Sequence, residues 1–209
     1  MTIQFDKRLN HGTEREELFR NYINSRAGWD CYEDGKGLMT DEQRNNLNLQ
    51  FVPFESEESK ELLALMPDHF RGPYLEGLNN KGYSGIPIRE RFAPDTACFY
   101  NDKCVFQGEI KSDMGGWANI TYCLSGFLWS LPASKQKQID KIYIWDISDD
   151  VSEWRYLFVN QIVEYTLDAR SGKGLKGSQT PHGRVPKSKL HASKQYLRDL
   201  LSYYETVEF

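Results

Sequence analysis

The chain has 209 residues, of which 39% are hydrophobic, 13% aromatic and 27% charged, enough for one folded domain with a sizeable core and too aromatic for disorder. No apolar run approaches the ~18 residues of a membrane helix, and Met1 to Asn10 lacks a signal-peptide core, so a soluble cytoplasmic protein with no membrane partner is expected. Cys31, Cys98, Cys104 and Cys123 include no C-x-x-C pair, and the four histidines lie far apart, which speaks against a zinc ribbon, a disulfide framework or an H-E-x-x-H metalloenzyme. The cysteines read as buried small hydrophobes.

Thr13-Glu14-Arg15-Glu16 fits a capping box, and Leu18, Phe19, Tyr22 and Ile23 supply the apolar face of a helix running to about Ser25 and closed by Gly28. Trp29 to Tyr32 suits a short strand. Residues 33–90 change character, with Gly, Pro and a polar run, and read as an insertion holding a helix from Ser56 to Met66 that stops at Pro67. Thr96 to Tyr100 and Cys104 to Ile110 read as strands joined by a turn over Asn101 to Lys103. Trp117, Ile120, Thr121, Leu124, Leu128 and Leu131 follow helical spacing up to Pro132. Ile139 to Ile147 is a strand covered on both faces, Trp154 to Tyr165 an amphipathic helix, and Ala192 to Tyr204 a closing helix. The order describes an α/β sandwich in a single domain over 1–209.

Charge is unevenly spread. The chain carries −4, yet residues 170–194 carry seven basic side chains and no acid, so the remainder carries −11. This stretch reads as a basic loop whose Lys173, Lys176, Arg184, Lys187 and Lys189 would neutralise nucleic-acid phosphates.

The chemistry is concentrated in Pro94-Asp95, thirteen residues, then Glu109-Ile110-Lys111. With a three-residue turn at Asn101 to Lys103, Tyr100 opposes Cys104 and Asp95 directly opposes Glu109. Opposed residues of an antiparallel pair share a face with Cβ atoms ~5 Å apart, and Lys111 joins that face by the period of two. A two-residue turn would instead separate the acids. Two carboxylates so close repel unless a cation intervenes, and paired oxygen ligands suit Mg²⁺, with Mn²⁺ as a substitute. A metal there would polarise a scissile phosphate and activate water, while the lysine positions the nucleophile or offsets developing charge. Phosphodiester hydrolysis is the chemistry this trio supports.

These residues resemble the PD-(D/E)xK nuclease superfamily, which includes restriction endonucleases, junction resolvases and phage recombination nucleases. The resemblance implies a restriction endonuclease-like three-layer α/β sandwich: a helix, a mixed central β-sheet with a catalytic hairpin, a second helix and a further strand. An insertion would stand between the first strand and that hairpin. It assigns Asp95 and Glu109 as metal ligands, Lys111 as the catalytic lysine, the Ile110 carbonyl as a further ligand, and Glu16, four residues after Gly12, as an auxiliary acid. It further implies a Mg²⁺-dependent endodeoxyribonuclease of restriction or phage recombination type acting on DNA, with a C₂ homodimer needed to cut both strands. The competing readings are a non-catalytic DNA-binding protein on the same fold and an RNA endonuclease with the same metal site.

Overall fold

The computed structural model describes residues 3–34, 50–88, 94–112, 118–136, 139–171 and 180–207. A five-stranded mixed sheet lies at the centre, built from β1 (Trp29–Glu33), β4 (Thr96–Tyr100), β5 (Lys103–Ser112), β7 (Asp140–Asp146) and β8 (Arg155–Phe158), in the order β1-β4-β5-β7-β8. Neighbours are antiparallel except β5 and β7, which run parallel and are joined through helix α4 (Leu124–Gln136).

Alternation along β7 explains the layering. Ile142 and Ile144 point into one core with Phe19 and Ile23 of α1 (Ile3–Asn24) and with Leu197, Leu200 and Leu201 of α7 (Leu197–Thr206). Tyr143 and Trp145 point to the other face. There they meet Phe127 and Leu128 of α4, Leu62 of α2 (Glu57–Leu65) and Phe70 and Tyr74 of α3 (Asp68–Asn80). A central strand with apolar side chains on both faces must be covered twice, as the unbroken apolar run predicts. The result is an α/β protein with a helix-covered mixed sheet; among the described residues no helix is long and apolar enough to cross a membrane.

The segment read as an insertion holds the expected helix, with Ser56 Oγ accepting from the Ser59 amide at its N-terminus. It also holds α3, which its Gly72, Pro73 and Gly77 disguise as breakers although Phe70, Tyr74 and Leu78 bury one helical face. A two-stranded sheet of β2 (Phe51–Pro53) and β3 (Gly85–Pro87) closes it.

Four expectations are corrected. Helix α1 begins at Ile3, so Thr13 and Glu16 lie in its interior and not at a capped start. The helix expected from Trp117 to Pro132 is a strand, β6 (Asn119–Cys123), followed by α4, which continues through Pro132. In β6, Ile120 and Tyr122 are buried and Thr121 is exposed, the alternation of a strand, so the helical spacing read through Ile120 and Thr121 is coincidental. Trp154 to Tyr165 is not one helix but β8 and a single turn, α5 (Ile162–Tyr165), because pairing with β7 takes up the backbone hydrogen bonds. The described part of the stretch read as a basic loop lies mostly in regular elements: β9 (Asp168–Arg170) and β10 (His182–Pro186) pair with each other, β10 also pairs with β6, and α6 (Lys187–Ala192) follows. Residues 172–179, with Lys173 and Lys176, lie outside the described residues.

Candidate active site

The hairpin that carries the candidate residues turns through two residues, not three. Tyr100 pairs with Lys103, and Asn101 and Asp102 both take positive φ, 47° and 63°. That is the primed turn that matches strand twist, and Asn and Asp tolerate it best among residues with a Cβ. By itself it would have put Asp95 and Glu109 on opposite faces. The ladder then slips: Phe99 pairs with Cys104, but Cys98 pairs with Phe106, leaving Val105 as a bulge. Val105 and Phe106, consecutive in sequence, are both buried in the same core. The extra residue restores the parity: Thr96 pairs with Gly108 at the end of the ladder, and the same register continued one step beyond β4 sets Asp95 opposite Glu109. Gly108 is required where it stands, since a Cβ there would meet Ile144 Cδ1 at 2.9 Å and Thr96 Oγ1 at 3.2 Å.

Asp95 is held from two sides. Its carbonyl accepts the Asp34 amide at 3.0 Å, tying it to the end of β1, and its Oδ2 accepts the Ile110 amide at 2.7 Å. Ile110 thus contributes its N–H to the acid while its side chain fills the core beside α1. Lys111 Nζ donates to Glu109 Oε1, and the two side chains remain 24% and 25% exposed, enough for solvent and ligands to reach them. Laterally Glu109 and Lys111 neighbour Tyr143 and Trp145 of β7, which form the apolar wall of the site.

Electrostatics bind the four residues into one unit. Burial, and then the Glu109 charge, push the Asp95 carboxyl up to about 8, against the opposing pull of Lys111. Burial alone would lower Lys111; Glu109 and Asp95 outweigh it and hold the ammonium above the ordinary lysine value. Burial raises Glu16 as well, with Arg20 opposing, and Glu16 senses both Glu109 and Lys111. Glu16, Asp95, Glu109 and Lys111 therefore share one local field, with three acids and one base.

The donor set fits a hard divalent cation in type and in charge. Carboxylate oxygens are what Mg²⁺ prefers, and a carboxyl forced to keep its proton toward pH 8 marks a place short of positive charge. Among the described residues, however, no three acidic, histidine or cysteine side chains are gathered as a ready coordination sphere. Glu109 is turned to Lys111 instead.

Other expected groups are distributed differently. Arg184 does not present a free cation: it forms a two-pronged contact to Asp168, which also binds Arg170 at 3.2 Å. Lys189 is exposed on α6, and Lys187 is half-buried at its start. Cys123 is the group that sequence reasoning missed. It ends β6 at the start of α4, accepts the Ser125 and Gly126 amides, and senses Lys111 and Glu109; burial raises its thiol. His182 pairs with Cys123 and with Arg170. Comparison with protein-family models, curated proteins and solved structures finds no match to this chain.

Proposed function

We propose that this chain is a Mg²⁺-dependent endonuclease of the PD-(D/E)xK kind that hydrolyses DNA phosphodiester bonds. One observation carries the reading: a bulged hairpin sets Asp95 across from Glu109 with Lys111 on the same face, and the crowded acids drive Asp95 to about 8. The order helix, strand, hairpin, helix, parallel strand, given by α1, β1, β4, β5, α4 and β7, supports it, since the resemblance implies that core.

Asp95 and Glu109 would hold the cation, with Glu16 as a further acid within the same field. When bound, the metal supplies a Lewis acid for the phosphoryl oxygen and lowers the pKa of a coordinated water. The chain's own part is positional. The Ile110 amide fixes one oxygen of Asp95, leaving Oδ1 to face a ligand. Lys111 keeps its proton and is free to move from Glu109 to an anionic phosphate oxygen, offsetting charge as the pentavalent transition state forms. Tyr143 and Trp145 exclude water behind the acids. Lys189, with Lys173 and Lys176, would supply sequence-independent affinity for the backbone, and cutting both strands would call for a C₂ dimer.

The test is incubation of purified protein with supercoiled plasmid, linear duplex, four-way junction and single-stranded RNA under Mg²⁺, Mn²⁺ or EDTA, beside Lys111→Ala. Metal-dependent DNA cleavage that the variant lacks is the expected result. Cleavage of RNA alone would reassign the substrate, and DNA retention without any cleavage would leave a binding protein.

A further inference from the structure

Cys31 and Cys98 are directly opposed on β1 and β4, with their Sγ atoms 3.0 Å apart. The Asp34 amide donates to the Asp95 carbonyl and the Asn101 amide to the Gly28 carbonyl, so hydrogen-bonded pairs flank the ladder an odd number of steps from this one. Cys31 and Cys98 therefore form a non-hydrogen-bonded pair, the kind whose Cα atoms approach to ~4.5 Å and whose side chains lie closest. That separation is within the range a disulfide spans. Both sulfurs are shielded in the core beneath α1 and α7, 3% and 0% exposed. Neither Cys104 nor Cys123 shares that core.

We propose that Cys31 and Cys98 are a redox-active pair that a peroxide converts to a cross-strand disulfide without rearrangement of the sheet. β1 is the edge strand, paired to a strand on one side only and tied on the other by the Asn24 side chain to the Cys31 backbone, so its local opening admits a small oxidant to Cys31 while β4 stays paired to β5. The Cys31 thiolate attacks one peroxide oxygen; an S–O bond forms, the O–O bond breaks, and hydroxide leaves and takes up the thiol proton as water. Cys98 sulfur then attacks Cys31 sulfur; the S–S bond forms, the S–O bond breaks, and a second water leaves with the Cys98 proton. Two thiols are each oxidised by one electron and the peroxide is reduced by two. Cys31 takes the first step because it lies on the edge strand, whereas Cys98 is fully enclosed on a strand paired on both sides.

The bond would fasten β1 to the strand that begins beside Asp95, closing a long loop that spans the insertion. The test uses the full chain, freed of reductant and exposed overnight to hydrogen peroxide, then denatured, alkylated with iodoacetamide and digested with trypsin. A peptide linking Cys31 to Cys98, ~2 Da lighter than its parts and split by dithiothreitol, is expected, with Cys104 and Cys123 still alkylated. The oxidised protein should melt about 5 °C or more above the reduced form. If Cys31 and Cys98 are both alkylated after exposure, or Cys31 stops at a sulfinic acid, or the linked form melts lower, the proposal fails.

Discussion

Asp95 faces Glu109 only because Val105 is bulged out of the strand between them and the turn. The tight Asn101-Asp102 turn and the bulge each change the register by one residue, and the two changes cancel. Deleting Val105 should therefore turn Glu109 and Lys111 away from Asp95 and abolish cleavage, besides removing a buried side chain at a cost of about 2 kcal/mol or more. Deleting Val105 while inserting Gly between Asn101 and Asp102 should recover cleavage, because a three-residue turn restores the parity. Plasmid nicking and urea unfolding of both variants check this; equal inactivity of the two would refute the role given to the bulge.

Asp95 predicts an unusual pH dependence. Its folded carboxyl keeps a proton up to about 8, whereas the unfolded chain releases it near the ordinary aspartate value. Across that window the unfolded state binds fewer protons, so in EDTA the stability of the wild type falls as pH rises toward 8. Asp95→Asn should remove that slope and be more stable than wild type at pH 8, by on the order of 2 kcal/mol. Mg²⁺ should stabilise the wild type at pH 8 and leave Asp95→Asn little changed. Urea titrations at pH 5, 6.5 and 8, with EDTA or Mg²⁺, measure all three effects.

If the proposed nuclease role holds, Lys111→Ala should lower the cleavage rate by ~100-fold or more while DNA retention changes little, since the lost ammonium would act on the reacting phosphate. The same change removes the charge that pulls Asp95 down, so the Asp95 carboxyl moves still higher. Single-turnover rates beside gel-shift affinities separate the two effects. A parallel loss of binding and rate would assign Lys111 to general phosphate binding.

Arg184 and Lys189 should part company. Arg184 is committed to Asp168, and Arg184→Ala should cost about 0.5–1 kcal/mol of stability while leaving the salt dependence of DNA binding as it was. Lys189 is exposed, and Lys189→Ala should reduce the slope of log affinity against log salt by about 1 with stability unchanged. Fluorescence anisotropy over a salt series decides between them.

Elements that bury a continuous apolar pattern were legible in the chain. Ile139 to Ile147 announced a central strand and Ser56 a capped helix, because each signal is local and short-ranged physics enforces it. The shared face of Asp95, Glu109 and Lys111 was reached through a three-residue turn that the chain does not make; the two-residue turn and the Val105 bulge restore the same parity. Ile120 and Thr121 misled, since residues that continue a helical spacing also fit a strand once β10 offers a partner. Arg184 misled for a related reason: composition counts charges, but only the folded chain places Asp168 against it. Cys123 carried no signal, since no local period relates it to Lys111; the placement of β6 and the helix start after it brings the two together. The sequence by itself determined the doubly covered central strand and the helix capped at Ser56, through local apolar patterning and a local cap. Tertiary structure decided the hairpin register, the pairing of the basic side chains and the meeting of Cys31 with Cys98, because each depends on contacts between segments whose separation along the chain no local period records.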